Sequence, residues 1–227
     1  GSVAAANSSS YNVNGSPDFG ATVASGFDLD QDGRFDVAIG SPDLAVAGGM
    51  VHILRADGTW TFLAAKVGPQ TGERFGASID GRRDFDGDGV VDFVIGAPGW
   101  SSGFASGIGR VFVFSGAALL AATSPSELFT LYHTTGATSA LGLSMGACVR
   151  SSVDLNADGV PEVLVGAPGY FNPIPYTPNR GAAMVFSGRT GVRLAFVAGS
   201  ANERLGDGLL SEGLDMNLDG FPDFGVA

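Results

Sequence analysis

The stretch Asp84-Phe-Asp86-Gly-Asp88-Gly89-Val90-Val-Asp92-Phe-Val-Ile-Gly96-Ala-Pro98 joins a loop of alternating carboxylates to an apolar run that stops at Gly-Ala-Pro. The loop recurs as Asp28-Leu-Asp30-Gln-Asp32-Gly33-Arg34-Phe-Asp36, as Asp154-Leu-Asn156-Ala-Asp158-Gly159-Val160-Pro-Glu162 and as Asp215-Met-Asn217-Leu-Asp219-Gly220-Phe221-Pro-Asp223. Each reads D-x-[DN]-x-D-G-x-x-[DE]. Side-chain oxygens at positions 1, 3, 5 and 9, with glycine at 6 for the sharp turn, are what a hard cation with many oxygen ligands requires. The backbone carbonyl at position 7 (Arg34, Val90, Val160 or Phe221) is expected to add one more oxygen. Magnesium demands stricter octahedral geometry and zinc prefers His or Cys, which the loops lack, so the pattern predicts up to four calcium ions. An ion-free Asp/Gly turn is the weaker reading, because clustered carboxylates repel one another.

The loops also explain the composition. Of 227 residues, 23 are Asp or Glu and 12 are Lys or Arg, for a net charge of −11. Fourteen of the acids lie in the four loops, four each in the first two and three each in the others. The remaining nine stand against the 12 basic residues, and four divalent ions would bring −11 to −3. The acidity is thus a property of the loops, and no Lys/Arg stripe points to nucleic acid. With 36 glycines and 44% apolar residues, the chain reads as a packed β-rich protein. Cys148 is the single cysteine, which excludes an intrachain disulfide, and its apolar flanks suggest a buried thiol. No apolar run reaches membrane-spanning length. Calcium sites in this number point to an extracellular or cell-surface location.

Outward from each loop the same strands repeat. Upstream stands Phe19-Gly20, Phe75-Gly76, Leu141-Gly142 or Leu205-Gly206; downstream comes an apolar run closed by Gly40-Ser-Pro42, Gly96-Ala-Pro98 or Gly166-Ala-Pro168, the fourth being Phe224-Gly-Val-Ala227. A third run follows at Met50–Leu54, Arg110–Phe114 and Ala183–Phe186, and a fourth at Trp60–Leu63, Phe129–Tyr132 and Arg193–Phe196. Four strands, A to D, with the acidic loop between A and B and no helical periodicity, predict an all-β chain of antiparallel β-propeller blades. The blades are placed at 19–66, 75–132 and 141–197, with a partial one at 205–227. Residues 1–18 are expected to supply C- and D-type strands (Ser2–Ala6 and Tyr11–Asn14), so that the end blade is split between the two ends of one domain, 1–227.

Phe-Gly, then D-x-D-x-D-G-x-x-D, then Gly-Ala-Pro resembles the FG-GAP repeat of integrin α-subunit propellers and their bacterial relatives. The resemblance covers nearly the whole chain. It implies that the calcium loops share one face of the propeller, and that the B–C and D–A loops form the opposite face, which in integrins helps to bind ligand. The aromatic-rich B–C loops supply the candidate recognition residues: Trp100 in the second unit, and Tyr170, Phe171, Tyr176 and Arg180 in the third. Packing of these rings against a neighbouring blade is the plain structural alternative.

Catalytic motifs are weak. Gly142-Leu-Ser144-Met-Gly146 matches the G-x-S-x-G elbow but is read as the opening of strand A, since no helix is expected to follow. His52 and His133 fall in or after strands, where structural roles prevail. Asn7-Ser-Ser9 and Asn14-Gly-Ser16 fit the short glycosylation sequon. The leading expectation is a calcium-stabilised, non-enzymatic module for protein binding, adhesion or self-assembly. The alternatives are a carbohydrate-binding or carbohydrate-processing module, and a head-to-tail homo-oligomer or filament built by strand donation. A fragment of a longer propeller fits the unmatched ends equally well.

Overall fold

The computed structural model describes residues 18–43, 48–103, 106–123, 126–133, 142–173, 176–177, 180–210, 215–218 and 222–227. The first blade is β1 (Thr22–Phe27), β2 (Asp36–Ser41), β3 (Met50–Arg55) and β4 (Thr61–Val67), paired in that order. The second is β5 (Ser78–Arg83), β6 (Asp92–Ala97), β7 (Arg110–Phe114) and β8 (Glu127–Leu131), with the short helix α1 (Gly116–Leu120) between the last two strands. The third is β9 (Cys148–Ser151), β10 (Glu162–Ala167), β13 (Ala182–Ser187) and β14 (Arg193–Ala198). Its B–C loop carries a small hairpin, β11 (Asn172–Pro173) with β12 (Tyr176–Thr177). Two short strands, β15 (Leu209–Leu210) and β16 (Gly225–Val226), begin a fourth blade. All named pairings are antiparallel, as the repeat predicts. Among the described residues no strand pairs the fourth blade with the first.

Period-two alternation divides the middle strands of the blades between two interfaces. In β7, Phe112 and Phe114 turn toward the first blade while Val111 and Val113 turn toward the third. Phe93 and Ile95 of β6 likewise join Phe27, Ala38, Val51 and Ile53 of the first blade, and Val94 joins Val149, Val163 and Met184 of the third. The rings of Phe27 and Phe93 meet edge to face at 5.0 Å. A strand buried on both faces has no polar face to show, so the middle strands read as apolar runs. Leu164, Ala183 and Val185 then pack on Leu209, Phe224 and Val226 of the partial blade.

The Phe-Gly and Gly-Ala-Pro glycines meet at the blade seams. Within each blade the two glycines are tied to each other: the backbone N–H of Gly20, Gly76 and Gly146 donates to the carbonyl of Gly40, Gly96 and Gly166 at 3.1, 3.0 and 2.9 Å, and the pair then faces the next blade. A methyl group on Gly40 would stand 2.3 Å from the carbonyl oxygen of Gly76, and one on Gly96 2.0 Å from that of Gly146. The motif is therefore a backbone-to-backbone seam between consecutive blades.

That seam corrects the phase of the third unit. Its Phe-Gly equivalent is Met145-Gly146, because Met145 bridges to Gly109 as Phe75 does to Gly49 and Leu205 to Gly181. Gly142 instead donates to Ser106 in the preceding turn, and Leu141 lies outside the described residues. Ser144 is not the opening of strand A: it sits in that turn at a φ of 54°, where Arg74 and Arg204 stand at 61° and 56°, and β9 follows from Cys148. The expected absence of helix is corrected by α1, which Ser115 caps by accepting the Ala118 N–H at 3.3 Å. The strands expected at Ser2–Ala6 and Tyr11–Asn14 lie outside the described residues.

Candidate functional site

Each of the first three acidic loops follows strand A and ends at the first residue of strand B (Asp36, Asp92 or Glu162), so both flanks are fixed by the sheet. Within it the carboxylates are held by backbone N–H groups in a repeated pattern. The side chain at position 1 accepts the N–H of the glycine at position 6: Asp28 from Gly33 at 2.8 Å, Asp84 from Gly89 at 2.8 Å, Asp154 from Gly159 at 2.7 Å. The side chain at position 3 accepts the N–H of position 5: Asp30 from Asp32 at 3.3 Å, Asp86 from Asp88 at 3.1 Å, Asn156 from Asp158 at 2.9 Å. Position 5 accepts the N–H of position 7: Asp32 from Arg34 at 2.9 Å, Asp88 from Val90 at 2.8 Å, Asp158 from Val160 at 2.9 Å. Position 9 accepts the N–H of position 2: Asp36 from Leu29 at 2.8 Å, Asp92 from Phe85 at 2.7 Å, Asp223 from Met216 at 2.8 Å, and Glu162 from Leu155. Left-handed backbone at Gly33, Gly89 and Gly159 (φ 85–86°) lets the turn close.

The result is three clusters whose ligand atoms lie within 4.8 Å of one another: Asp28, Asp30 and Asp32; Asp84, Asp86 and Asp92; Asp154, Asp158 and Glu162. Asp36 stands at the base of its loop, fully buried, and Asp88 flanks its own cluster through the bond to Val90. In the fourth loop Asp223 also accepts the Asn217 N–H at 3.3 Å, whereas Asp219 and Phe221 lie outside the described residues.

The electrostatics bear on whether a cation fits. Burial pushes Asp92 up to about 6, with Asp86 and Asp84 adding to it, against the stabilising N–H groups of Gly116 and Phe85. Burial also raises Asp36 and Glu162. Asp36 Oδ1 is buried without a hydrogen-bond partner. An orphaned carboxylate oxygen beside three converging carboxylates is an acceptor set in excess of its donors, and it fits a divalent ion.

Two cations reach these loops that the sequence reading missed. Arg55, at the end of β3, donates through Nε to Asp30 at 2.7 Å and also through Nη2, and its Nε lies 3.3 Å from Asp32. Arg189 donates to the Asp158 carbonyl, with its Nε 3.5 Å from the side chain. The register Asp36↔Arg55 is the signal that could have found the first. Gln31 ties the first loop to the second by donating to the Gly89 carbonyl at 2.9 Å.

The B–C loop residues occupy separate aromatic clusters. The Trp100 ring lies 5.4 Å from Tyr132 and 5.1 Å from the Arg110 guanidinium. Arg110 is in turn held by the fully buried Glu73 at 2.9 and 2.5 Å. Tyr170 packs on Phe196 at 5.2 Å and on His133 at 6.3 Å, which joins the second and third blades. Arg180 donates to the Gly199 carbonyl at 2.6 Å, and Phe171 is half-buried. Tyr176 lies in β12. His52 is buried against Phe19, and burial pushes the half-buried Cys148 thiol up.

The FG-GAP repeat matches residues 19–54, 75–114 and 151–186. Human integrin alpha-IIb is 34% identical over 163 residues, covering 66% of this chain and 15% of that protein. Integrin alpha-PS2 of Drosophila melanogaster is 31% identical over 233 residues, covering 96% of this chain and 16% of that protein. Integrin alpha-M of Mus musculus is 31% identical over 161 residues, covering 67% and 13%. The chain thus spans about one sixth or less of the length of these curated relatives. No helix among the described residues is long and apolar enough to cross a membrane. Three repeats that each fall within one four-stranded blade, with integrin alpha subunits similar across them, place the chain among the FG-GAP repeat proteins.

Proposed function

We propose that this chain is a calcium-stabilised extracellular or cell-surface propeller that binds a protein ligand through its B–C loop face. The observation that carries the metal half is the convergence of three carboxylates per loop within 4.8 Å, with the buried Asp36 Oδ1 left unpartnered. Asp28, Asp30, Asp32, Asp36 and the Arg34 carbonyl would hold one ion. Asp84, Asp86, Asp88, Asp92 and the Val90 carbonyl would hold a second, and Asp154, Asn156, Asp158, Glu162 and the Val160 carbonyl a third. Asp215, Asn217, Asp219, Asp223 and the Phe221 carbonyl form the fourth set on the loop spacing alone. A bound calcium ion supplies the positive charge that offsets repulsion among these carboxylates; its role is to staple strand A to strand B, not to catalyse.

The ligand half rests on the similarity to integrin alpha subunits and on the aromatic clusters around Trp100 and Tyr170. Tyr132, 42% exposed beside Trp100, offers a braced ring on that face. Titration calorimetry of chelator-stripped protein with calcium, paired with thermal unfolding, tests the metal half. Binding should raise the midpoint in proportion to ligand excess over Kd. Heat-silent titration with an unmoved midpoint would sink it.

A further inference from the structure

The first acidic loop carries its own cation. All three described clusters share the same backbone N–H framework, yet they differ in what stands against their negative charge. None of the ion pairs among the described residues involves the second loop's Asp84, Asp86, Asp88 or Asp92. In the third loop, position 3 is the neutral Asn156, and Arg189 approaches Asp158 from a side chain that is 53% exposed. In the first loop, Arg55 engages Asp30 through two nitrogens and stands 3.3 Å from Asp32. Asp30 and Asp32 are the two carboxylates that converge with Asp28.

Arg55 reaches them by register and not by chance of a flexible surface chain. It is the last residue of β3 and pairs with Asp36, the position-9 carboxylate of the same loop. The corresponding residue of the third blade is Ser187, opposite Glu162, and one step beyond the Phe93↔Phe114 pair it is Ser115 in the second. Both hydroxyls are used locally: Ser187 accepts the Thr190 N–H and Ser115 caps α1. Of the three complete blades among the described residues, only the first places a guanidinium there. A planar, permanently charged fork satisfies two carboxylates at once, so it competes for the same lone pairs as a metal ion.

We propose that Arg55 is a resident counter-cation of the first loop, which lowers that loop's affinity for calcium below that of the second, so that filling it requires the guanidinium to leave Asp30. The inference rests on the calcium reading of the loops. It ranks two of the sites: the second loop binds at a lower calcium concentration than the first, whose negative charge the guanidinium already offsets in part.

Calorimetric titration of the chelator-stripped full chain with calcium tests this on the wild type, Arg55→Gln, Arg55→Lys and Arg55→Gln with Asp28→Asn. Far-ultraviolet dichroism should first confirm that each variant is folded. Arg55→Gln should tighten the first loop's calcium step by about tenfold, because the charge-assisted hydrogen bonds to Asp30 no longer have to be given up. Arg55→Lys, which keeps the charge but loses the fork, should fall between. Adding Asp28→Asn should abolish the gained step and so assign it to the first loop. Unchanged steps in Arg55→Gln, or a weaker one, would overturn the inference while leaving calcium binding intact. Absence of calcium binding in every protein would instead overturn the calcium reading, and the inference with it.

Discussion

Asp80 Oδ2 accepts two hydrogen bonds from Ser151, from its N–H at 2.7 Å and its hydroxyl at 2.6 Å, and so latches the innermost strand of the second blade to that of the third. Its other oxygen accepts from Arg82 at 2.8 Å. The register puts Ala24 and Arg150 at the same place in the other two blades, so this latch serves one seam. Asp80 is 4% exposed and Ser151 2%. Removing the carboxylate strands a buried N–H and a hydroxyl, each costly without a partner. Asp80→Ala should destabilise the chain by about 2–4 kcal/mol and Ser151→Ala by about 1 kcal/mol. Urea unfolding of both variants checks this; equal midpoints would mean that the latch contributes little.

The seam glycines should be less tolerant still. A methyl on Gly96 meets the Gly146 carbonyl oxygen at 2.0 Å, and that carbonyl is held across the seam by the Ser78 hydroxyl, which donates to it at 2.7 Å. Gly96→Ala should cost about 3 kcal/mol or more, through overpacking against backbone. Gly208→Ala, whose methyl would meet only the Ala227 side chain at 3.5 Å, should change stability by less than about 0.5 kcal/mol. Thermal midpoints of the two variants give the comparison. Similar losses at both positions would contradict the seam as the reason for the motif.

The legible parts of this molecule were those written in short range. Positions 1, 3, 5 and 9 of each loop are fixed by local spacing, and the N–H pattern from Asp28 to Asp36 repeats from Asp84 to Asp92. The strands were legible because apolar runs such as Arg110–Phe114 are buried on both faces. Features set by long-range pairing were not legible. Gly142 and Gly146 both follow an apolar residue, and only the close approach of Gly146 to Gly96 of the second blade tells which one enters the seam. Arg55 reaches Asp30 across 25 residues of chain, through a register that the sequence does not print. The helix α1 spans five residues, too few to show a period.

The B–C face separates into rings that brace and rings that are free to contact. Trp100 is held between Tyr132 and Arg110, whereas Tyr132 is 42% exposed. Tyr132→Ala should leave stability within about 0.5 kcal/mol, yet lower affinity for a protein ligand by tenfold or more if it is an anchor. Trp100→Ala should lose both, because it also releases the cation–π contact of Arg110. An array of extracellular proteins and glycans, probed with the wild type and both variants, supplies the measurement. Glycan-only signals lost in Trp100→Ala would favour the carbohydrate reading, and signals indifferent to both variants would remove this face from consideration.

Asp92 makes the second loop sensitive to acid. Its carboxyl is pushed from 3.8 up to about 6, mainly by burial, so the metal-free fold binds that proton more tightly than the unfolded chain does. The stability that this group contributes without metal is therefore fully present below about pH 4 and is lost as pH rises through about 6. Calcium works in the opposite direction, because it requires the ionised carboxylate and must displace the proton. Apparent calcium affinity of the second loop should thus be flat above about pH 7 and fall by about tenfold toward pH 5, one unit below the shifted value. Asp92→Asn should weaken binding at every pH and remove this step. Calorimetry at several pH values, with the heat of buffer ionisation varied, would also detect the released proton. Binding that stays constant between about pH 7 and pH 5, with no proton released, would show that Asp92 is not a ligand of the ion.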